Sequence, residues 1–258
     1  MIEETRIVSG ILRKRGSNSM REDICTIPIS EVFEPRDGCP ICRMRDMLED
    51  RMATYITGAA MMEPDVRIET NRLGFCREHF DQILDRGSRL SVALILESLL
   101  KEVENDVLPE GKADQKTAVK KLLPAADARA HSCFICENIE KNMEHLLETV
   151  INLWQTEEDF RKLYAQQPCL CFPHYRALLR AGAKMNKKNF PAFHEVTASL
   201  ARNYLQELEG DVTHFCRMFD YRNQGADWGN SRDSIERAIW FLTSRQPQAE
   251  PDASKKNR

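Results

Sequence analysis

The chain has 258 residues, of which 42% are hydrophobic, so it is long enough to bury a sizeable core. Its formal net charge of −3, from 37 basic and 40 acidic residues, gives no electrostatic support for general nucleic-acid binding. The N-terminus has no apolar run of signal-peptide length, and no later segment is apolar enough to span a membrane. The sequence therefore predicts a globular cytoplasmic protein.

The first part of the sequence predicts one helical unit over residues 21–107, after a polar and basic segment, 1–20, that we expect to be disordered. Beyond Glu63–Asp65 we expect a short polar connection. Two helices should follow, from Cys76 to Gly87 and from Ser88 to about Val107, the second apolar on more than one side. The first helix of the unit has apolar residues at helical spacing, which predict core packing: Met44, Met47, Leu48, Met52, Tyr55, Ile56 and Ala59.

The remainder predicts a mostly polar connector over 108–130, with a short helix around Val119 to Leu123, and a second helical unit over 131–245. The second unit is longer than the first because it adds a long helix from about Pro191 to Phe219 and a final helix. We expect residues 246–258 to be disordered. The final helix is expected to pack through Ile235, Ala238, Ile239, Phe241 and Leu242.

The two units share an internal repeat. The pattern Cys-x2-His-aromatic-x2-(Ile or Leu)-Leu-x2-Gly runs from Cys76 to Gly87 and returns at an offset of 95 from Cys171 to Gly182. A shorter match, Glu-x-Asp-apolar-Arg, begins at Glu63 and returns at Glu157. Such matches in the same order indicate duplication of a three-helix unit. We therefore predict an all-α protein made of two pseudo-symmetric helical repeats with a C-terminal helical extension.

Each repeat carries a Cys-x2-Cys pair that is followed 34 or 35 residues later by a Cys-x2-His pair. Three cysteines and one histidine form a common closed ligand set for tetrahedral structural zinc. The sequence thus predicts two zinc ions, one stapling each unit. The expected ligands are Cys39, Cys42, Cys76 and His79 in the first unit and Cys133, Cys136, Cys171 and His174 in the second.

Three further cysteines have no clear place in this scheme. Cys169 competes with Cys171, but the repeat favours Cys171 because Cys169 falls opposite Gly74. Cys25 and Cys216 have no partner at ligand spacing and are predicted to be packed thiols. An odd total of 9 cysteines, most of them at ligand spacings, fits a secreted disulfide framework poorly.

Two alternative functions remain open. A thiol redox or iron–sulfur protein could use the Cys-x2-Cys pairs, because a metal-free dithiol at a helix start has a depressed thiol pKa. No βαβ pattern accompanies the pairs, which speaks against a redox fold. A small-molecule-binding enzyme could instead use a polar site near Glu63–Arg67 and Glu69, or the segment Asp220–Asn230, although turn and ion-pair roles explain the same residues.

The predicted ligand sets favour a binding or scaffold module over an enzyme. Four protein ligands leave no coordination position for the water that a hydrolytic zinc site needs. The partner, a protein or a small molecule, and the oligomeric state are left open by the residue pattern.

Several motifs resemble those of a bacterial family of unknown function. They are Gly-Cys-Pro-Ile-Cys-Arg from Gly38, Met-Met-Glu-Pro-Asp-Val-Arg from Met61, Gly-Phe-Cys-x2-His-Phe from Gly74, Phe-Asp-Tyr-Arg-Asn from Phe219 and Trp-Gly-Asn-Ser-Arg-Asp from Trp228. The resemblance extends from Met20 to about Ser244. It implies a cytoplasmic bacterial protein and supplies no catalytic residue.

Overall fold

A computed structural model describes residues 28–223 and 225–245 of the chain. The predicted disordered segments, 1–20 and 246–258, lie outside the described residues. Within the described part every regular element is helical, which confirms the predicted all-α fold. The helices are α1 (Ile29–Phe33), α2 (Pro40–Thr57), α3 (Pro64–Leu73), α4 (Arg77–Arg86), α5 (Arg89–Val107), α6 (Leu123–Ala130), α7 (Phe134–Thr156), α8 (Glu158–Ala165), α9 (Phe172–Gly182), α10 (Phe190–Met218) and α11 (Ser234–Thr243).

Local sequence signals explain where several helices begin. Pro40 and Pro64 stand in the first turns of α2 and α3, where a missing N–H and a fixed φ suit helix initiation. Ser88 caps α5, because its side-chain oxygen accepts a hydrogen bond of 3.0 Å from the backbone N–H of Ser91. The predicted helix from Ser88 to Val107 is therefore present with almost the expected bounds.

The polar connection predicted after the first helix of the first unit is wrong, because the chain there forms a helix, as it does at the equivalent place in the second unit. α3 and α8 are short and largely polar, and each buries a narrow stripe, represented by Val66 on α3 and by Phe160 and Tyr164 on α8. Each unit thus contributes four helices in the same order, α2–α5 and α7–α10, where three were expected.

The two units share one continuous core. α2 and α7 pack against each other, α4 packs on α2, and α9 packs on α7. Buried apolar residues from both units belong to the same cluster, in which Phe33, Tyr164 and Phe193 are among the largest fully buried side chains. Most of the predicted apolar stripe of α2 is buried, as core packing requires. The matching contacts agree with the predicted pseudo-symmetry of the units, which remains a prediction.

Two helices bury fewer apolar side chains than the sequence suggests. On α5, Leu90 and Leu100 are 68% and 64% exposed, so only one side of this helix faces the core. On α11, Phe241 is buried, but three other apolar residues expected to pack are exposed. These residues are Ile235, Ile239 and Leu242.

The segment between the units is more helical than predicted. Helical turns extend from Gln115 through a π-helical turn into α6, which packs on α5. Arg129, near the end of α6, donates a 2.8 Å hydrogen bond to the backbone oxygen of Asn71 and pairs with Asp106. Among the described helices, none combines the length and the apolar character needed to cross a bilayer.

Candidate metal centres

The eight predicted ligands lie at the N-termini of four helices. In every pair the first cysteine is the N-cap residue, and the second ligand follows three residues later in the first turn. This spacing points both side chains to the same side of the helix start, where the positive end of the helix dipole favours thiolates. The pairs are Cys39 and Cys42 at α2, Cys76 and His79 at α4, Cys133 and Cys136 at α7, and Cys171 and His174 at α9.

The first cluster, here called the inner site, draws its ligands from α2 and α9. It consists of Cys39, Cys42, Cys171 and His174, all of them buried. Nδ1 of His174 lies 3.3 Å from Sγ of Cys42 and 3.1 Å from Sγ of Cys171. The distance from the same nitrogen to Sγ of Cys39 is 3.7 Å, so one atom faces all three sulfurs.

The second cluster, the outer site, draws its ligands from α4 and α7. It consists of Cys76, His79, Cys133 and Cys136. Nδ1 of His79 lies 3.1 Å from Sγ of Cys76, 3.2 Å from Sγ of Cys133 and 3.4 Å from Sγ of Cys136. His79 and Cys133 are buried, Cys76 is half-buried and Cys136 is exposed. Solvent therefore reaches this cluster more readily than the inner site, where the most exposed ligand is His174 at 8%.

The predicted ligands are brought together, but the prediction that each unit holds its own quartet is wrong. Each cluster combines the Cys-x2-Cys pair of one unit with the Cys-x2-His pair of the other. A helix rises about 1.5 Å per residue, so α2, with 18 residues, is about 27 Å long, whereas the returning α3, with 10, is only about 15 Å long. As a result His79 lies beside Glu49, about 10 Å along α2 from Cys42.

Both clusters fit a tetrahedral metal ion. With zinc–sulfur and zinc–nitrogen bonds of about 2.3 and 2.1 Å, neighbouring ligand atoms of a tetrahedral site are roughly 3.5–3.8 Å apart. The sulfur–sulfur distances are 3.6 Å between Cys42 and Cys171 and 3.9 Å between Cys76 and Cys136. The four ligand atoms of each cluster all lie within 4.8 Å of one another. Each cluster could therefore hold a metal ion with little rearrangement.

The thiols of each cluster cannot all ionise easily without a cation. Burial raises the pKa of Cys133, but its hydrogen bond to His79 brings that pKa down to about 6. Burial and the neighbouring Cys133 charge raise the pKa of Cys136. At the inner site, the hydrogen bond to Cys171 raises the pKa of Cys42. A divalent cation would offset this repulsion and hold three thiolates together.

A buried carboxylate orients the histidine of the outer site. Nε2 of His79 donates to Oε1 of Glu49 at 2.9 Å, which leaves Nδ1 facing the sulfurs. Gln82 and Arg245 also donate to this carboxylate, at 3.0 and 3.2 Å. Burial raises the pKa of Glu49, but the His79 hydrogen bond and the Arg245 charge lower it to about 2. A carboxylate in this position fixes the histidine tautomer and raises its basicity as a ligand.

Among the described residues, no carboxylate contacts the histidine of the inner site in this way. Met143 stands 94 residues after Glu49, at the equivalent position of the repeat, and is buried on α7. No hydrogen bond from Nε2 of His174 is found within the described part of the chain. Sequence reasoning missed Glu49; the available signal was a single carboxylate on the buried face of α2, next to Leu48 and three residues before Met52.

The other cysteines lie outside the two clusters. Cys169 is only 2% exposed, and burial raises its pKa to about 12, but the structure places Cys171 and not Cys169 among the ligands. Cys216 is exposed, so the prediction that it is a packed thiol is wrong. The corresponding prediction for Cys25 lies outside the described residues.

The polar segment Glu63–Arg67 has structural contacts. The guanidinium of Arg67 donates to the backbone oxygens of Met61 and Leu94, at 3.3 and 3.0 Å. Its counterpart in the repeat, Arg161, donates at 3.2 Å to two carbonyls at the C-terminal end of α7. Arg161 thus satisfies carbonyls that a helix end leaves free, whereas Arg67 joins Met61, just before α3, to the interior of α5.

The segment Asp220–Asn230 is largely a surface turn. Asp220 accepts from the backbone and the guanidinium of Arg222, and the ring of Trp228 packs edge-on against the rings of Phe215 and Phe219. Both Asp220 and Arg222 are committed to this local contact, as the ion-pair interpretation of the sequence expects.

Fold and site together define an all-helical protein with two Cys/His clusters that could hold metal ions. The chain belongs to DUF6062, a family of unknown function whose pattern matches residues 20–249. The resemblance noted in the sequence is thereby confirmed. No curated protein and no solved structure matches the chain.

Proposed function

We propose that this protein is a cytoplasmic zinc-binding helical module in which two structural zinc ions join its two units. The observation that carries the proposal is the composition of the clusters, because each cluster takes two ligands from the first unit and two from the second. A metal ion at either position would cross-link helices that are distant in sequence. The rigid body formed in this way would act as a binding or scaffold module.

Zinc is the metal that suits these ligands. Three thiolates and one imidazole in a compact cluster match structural zinc sites, and neither cluster has the cysteine run of ferredoxin-like iron–sulfur proteins. Four protein ligands complete a tetrahedral shell and leave no position for a reactive water. A structural role for zinc follows from this closed shell.

The free energy of metal binding would be comparable to the stability of the whole fold. Structural zinc contributes on the order of 10–16 kcal/mol, whereas a domain is typically stable by about 5–15 kcal/mol. Because each ion would bridge both units, loss of one ion should weaken the junction between units, not unfold a single unit. This differs from a protein in which each unit closes its own site.

A binding or scaffold role is supported by the contacts of the duplicated arginines. Arg67, the cation of the Glu63–Arg67 segment, is occupied by backbone carbonyls, as is Arg161 in the other unit. Both clusters, moreover, have complete ligand sets. We therefore infer that the protein works by presenting a surface to a protein or small-molecule partner.

Metal content and stability test the proposal. Protein purified in reducing buffer without chelator should contain two zinc ions per chain and show no visible absorbance. A high-affinity chelator should then abolish the cooperative thermal transition followed by far-ultraviolet circular dichroism, and added zinc should restore it. Cys216→Ser, which removes an exposed thiol outside both clusters, serves as the control and should behave like the unaltered chain.

Other outcomes would favour the alternatives. Iron with visible absorbance would indicate an iron–sulfur protein. Metal-free protein with a reversible disulfide between Cys39 and Cys42 would indicate thiol redox chemistry. Either result would contradict the structural zinc proposal.

A further inference from the structure

The two clusters differ in how far reagents in water can reach their sulfurs. At the inner site Cys39, Cys42 and Cys171 are 2%, 5% and 0% exposed. At the outer site Cys136 is exposed and Cys76 is half-buried. Oxidation of cysteine depends on thiolate character and on exposure. Of the two clusters, the outer site therefore has the ligand thiol that is far more accessible to solvent, Cys136.

The outer site also places a second thiol beside the exposed one. The sulfurs of Cys76 and Cys136 are 3.9 Å apart, although the residues are 60 positions apart in sequence. Formation of a disulfide needs a sulfur–sulfur distance of about 2 Å, so a movement of roughly 2 Å would suffice. The third sulfur, that of Cys133, is buried, so the accessible pair is Cys76 and Cys136.

We propose that Cys136 is a site of oxidation by peroxides, with Cys76 as the resolving thiol, and that the resulting disulfide releases the metal of the outer site alone. The inference rests on the proposed function, because it requires a zinc-loaded outer site. A bound metal would keep the Cys136 sulfur deprotonated, and the side chain is exposed, so thiolate character and access to peroxides would coincide at this residue.

The chemistry balances with hydrogen peroxide as the oxidant. The Cys136 thiolate attacks one peroxide oxygen, so that an S–O bond forms, the O–O bond breaks and hydroxide leaves. The Cys76 thiolate then attacks the Cys136 sulfur, forming the S–S bond and expelling a second hydroxide. Two protons from solvent convert both hydroxides to water. Two thiolates are oxidised by two electrons in total, and one peroxide is reduced.

The junction between the units should remain folded after this oxidation. Direct hydrogen bonds join the same two regions, from the Phe134 N–H to the Gly74 oxygen at 2.9 Å and from the Ser132 hydroxyl to the Leu73 oxygen at 2.6 Å. The inner site is untouched by the reaction. Oxidation should therefore loosen α4 and the start of α7 without unfolding the chain.

The test uses the zinc-loaded full-length chain carrying Cys216→Ser, which removes the exposed thiol outside the clusters. Hydrogen peroxide is added, zinc release is followed with a colorimetric indicator, and disulfides are located by peptide mass spectrometry that also covers Cys25. We expect one of the two zinc ions to be released together with a Cys76–Cys136 disulfide. Reductant with added zinc should restore two zinc ions per chain.

Two histidine variants distinguish the role of the exposed Cys136 sulfur in zinc release from that of the buried Cys133 sulfur. Cys136→His keeps four ligands but removes the exposed thiol, so it should retain both zinc ions under peroxide. Cys133→His replaces a buried ligand of the same cluster and should still release one zinc ion. If either variant fails to hold zinc, the proposal is tested instead by the peptide mass spectrometry of the chain with unaltered clusters. A Cys76–Cys136 disulfide would support the proposal, and its absence after zinc release would contradict it.

The possible failures are distinguishable. Reduced protein without zinc would contradict the proposed function and, with it, this inference. Zinc-loaded protein that releases the inner ion first would overturn the inference alone. Release of both ions together would also overturn the inference. The same holds if the outer ion is retained under conditions in which peroxide oxidises Cys216 of the unaltered chain.

Discussion

The inner and outer sites have the same ligand set but different surroundings. At the inner site every ligand is buried, and the histidine has no carboxylate partner within the described residues. At the outer site Cys136 reaches solvent, while Glu49 orients His79 and is itself held by Gln82 and Arg245. The internal repeat thus specifies the ligands twice, and the neighbouring helices decide how each site behaves.

This contrast follows from the way the second unit departs from the first. Met143 occupies the position that Glu49 has in the first unit, and Arg245 follows α11, an extension that the first unit lacks. We infer that the inner site contributes mainly to stability and that the outer site is the more adjustable of the two.

The largest effect is expected at the inner site. Cys171→Ser should remove one zinc ion and lower the free energy of unfolding by on the order of 10 kcal/mol. A loss of this size would leave the chain without a cooperatively folded state, so no thermal transition should be seen. Zinc content and thermal circular dichroism would measure both changes. Cys169→Ser is the matched control, a buried cysteine two residues away that should keep two zinc ions. Equal zinc loss in the two variants would refute the ligand assignment.

A smaller effect is expected at the outer site. Cys76→Ser should also remove one zinc ion, but the chain should keep most of its helical content and a cooperative transition at a lower temperature. The reason is that the Phe134–Gly74 and Ser132–Leu73 hydrogen bonds hold the same junction without metal. Complete unfolding of Cys76→Ser under conditions in which Cys171→Ser stays folded would reverse the proposed roles of the sites.

Loss of the carboxylate should weaken only the outer site. Glu49→Gln removes the charge that supports His79 and should lower zinc affinity there by about 10–100-fold, as for other carboxylate partners of metal-bound histidines. Competition with a chelator of known affinity would resolve the two ions. Asp50→Asn, which alters an exposed neighbour paired with Arg86, should change neither affinity. A weakened inner site in Glu49→Gln would argue against the assignment.

The smallest effect is expected from the duplicated arginines. Arg161→Met leaves carbonyls at the end of α7 without their donor, and Arg67→Met removes the charged hydrogen bonds from α3 to Met61 and α5, so each should cost about 1–3 kcal/mol of stability. Zinc content should remain at two ions per chain in both, as measured by metal analysis beside denaturant unfolding. Zinc loss in either variant would connect these arginines to the metal centres and would require a different account of the repeat.

The identity of the ligands could be predicted because it depends on local geometry. A ligand at the N-cap and another three residues later face the same way, and this relation is visible in the spacing alone. The pairing of Cys39 and Cys42 with Cys171 and His174 could not be predicted in this way. It depends on the lengths of α2 and α3, which set how far the chain returns along α2.

The existence and length of α3 could not be predicted, because the composition of this segment is mostly polar. α3 buries only Val66, Thr70 and Leu73 and exposes Ile68, so its sequence resembles a polar connection. The role of Glu49 was equally hidden, because it depends on the packing of α4 beside α2 and on Arg245, 196 residues away. Both features belong to tertiary structure and not to any one segment.

The exchange of ligands between units is tested most directly by the zinc content of one double variant. Cys76→Ser/Cys136→Ser removes two ligands that the structure places in the same cluster. We expect one zinc ion per chain, the same as for either single variant, because the inner site keeps all its ligands. A content of zero would contradict it, since pairing within each unit would place the two cysteines in different sites and damage both.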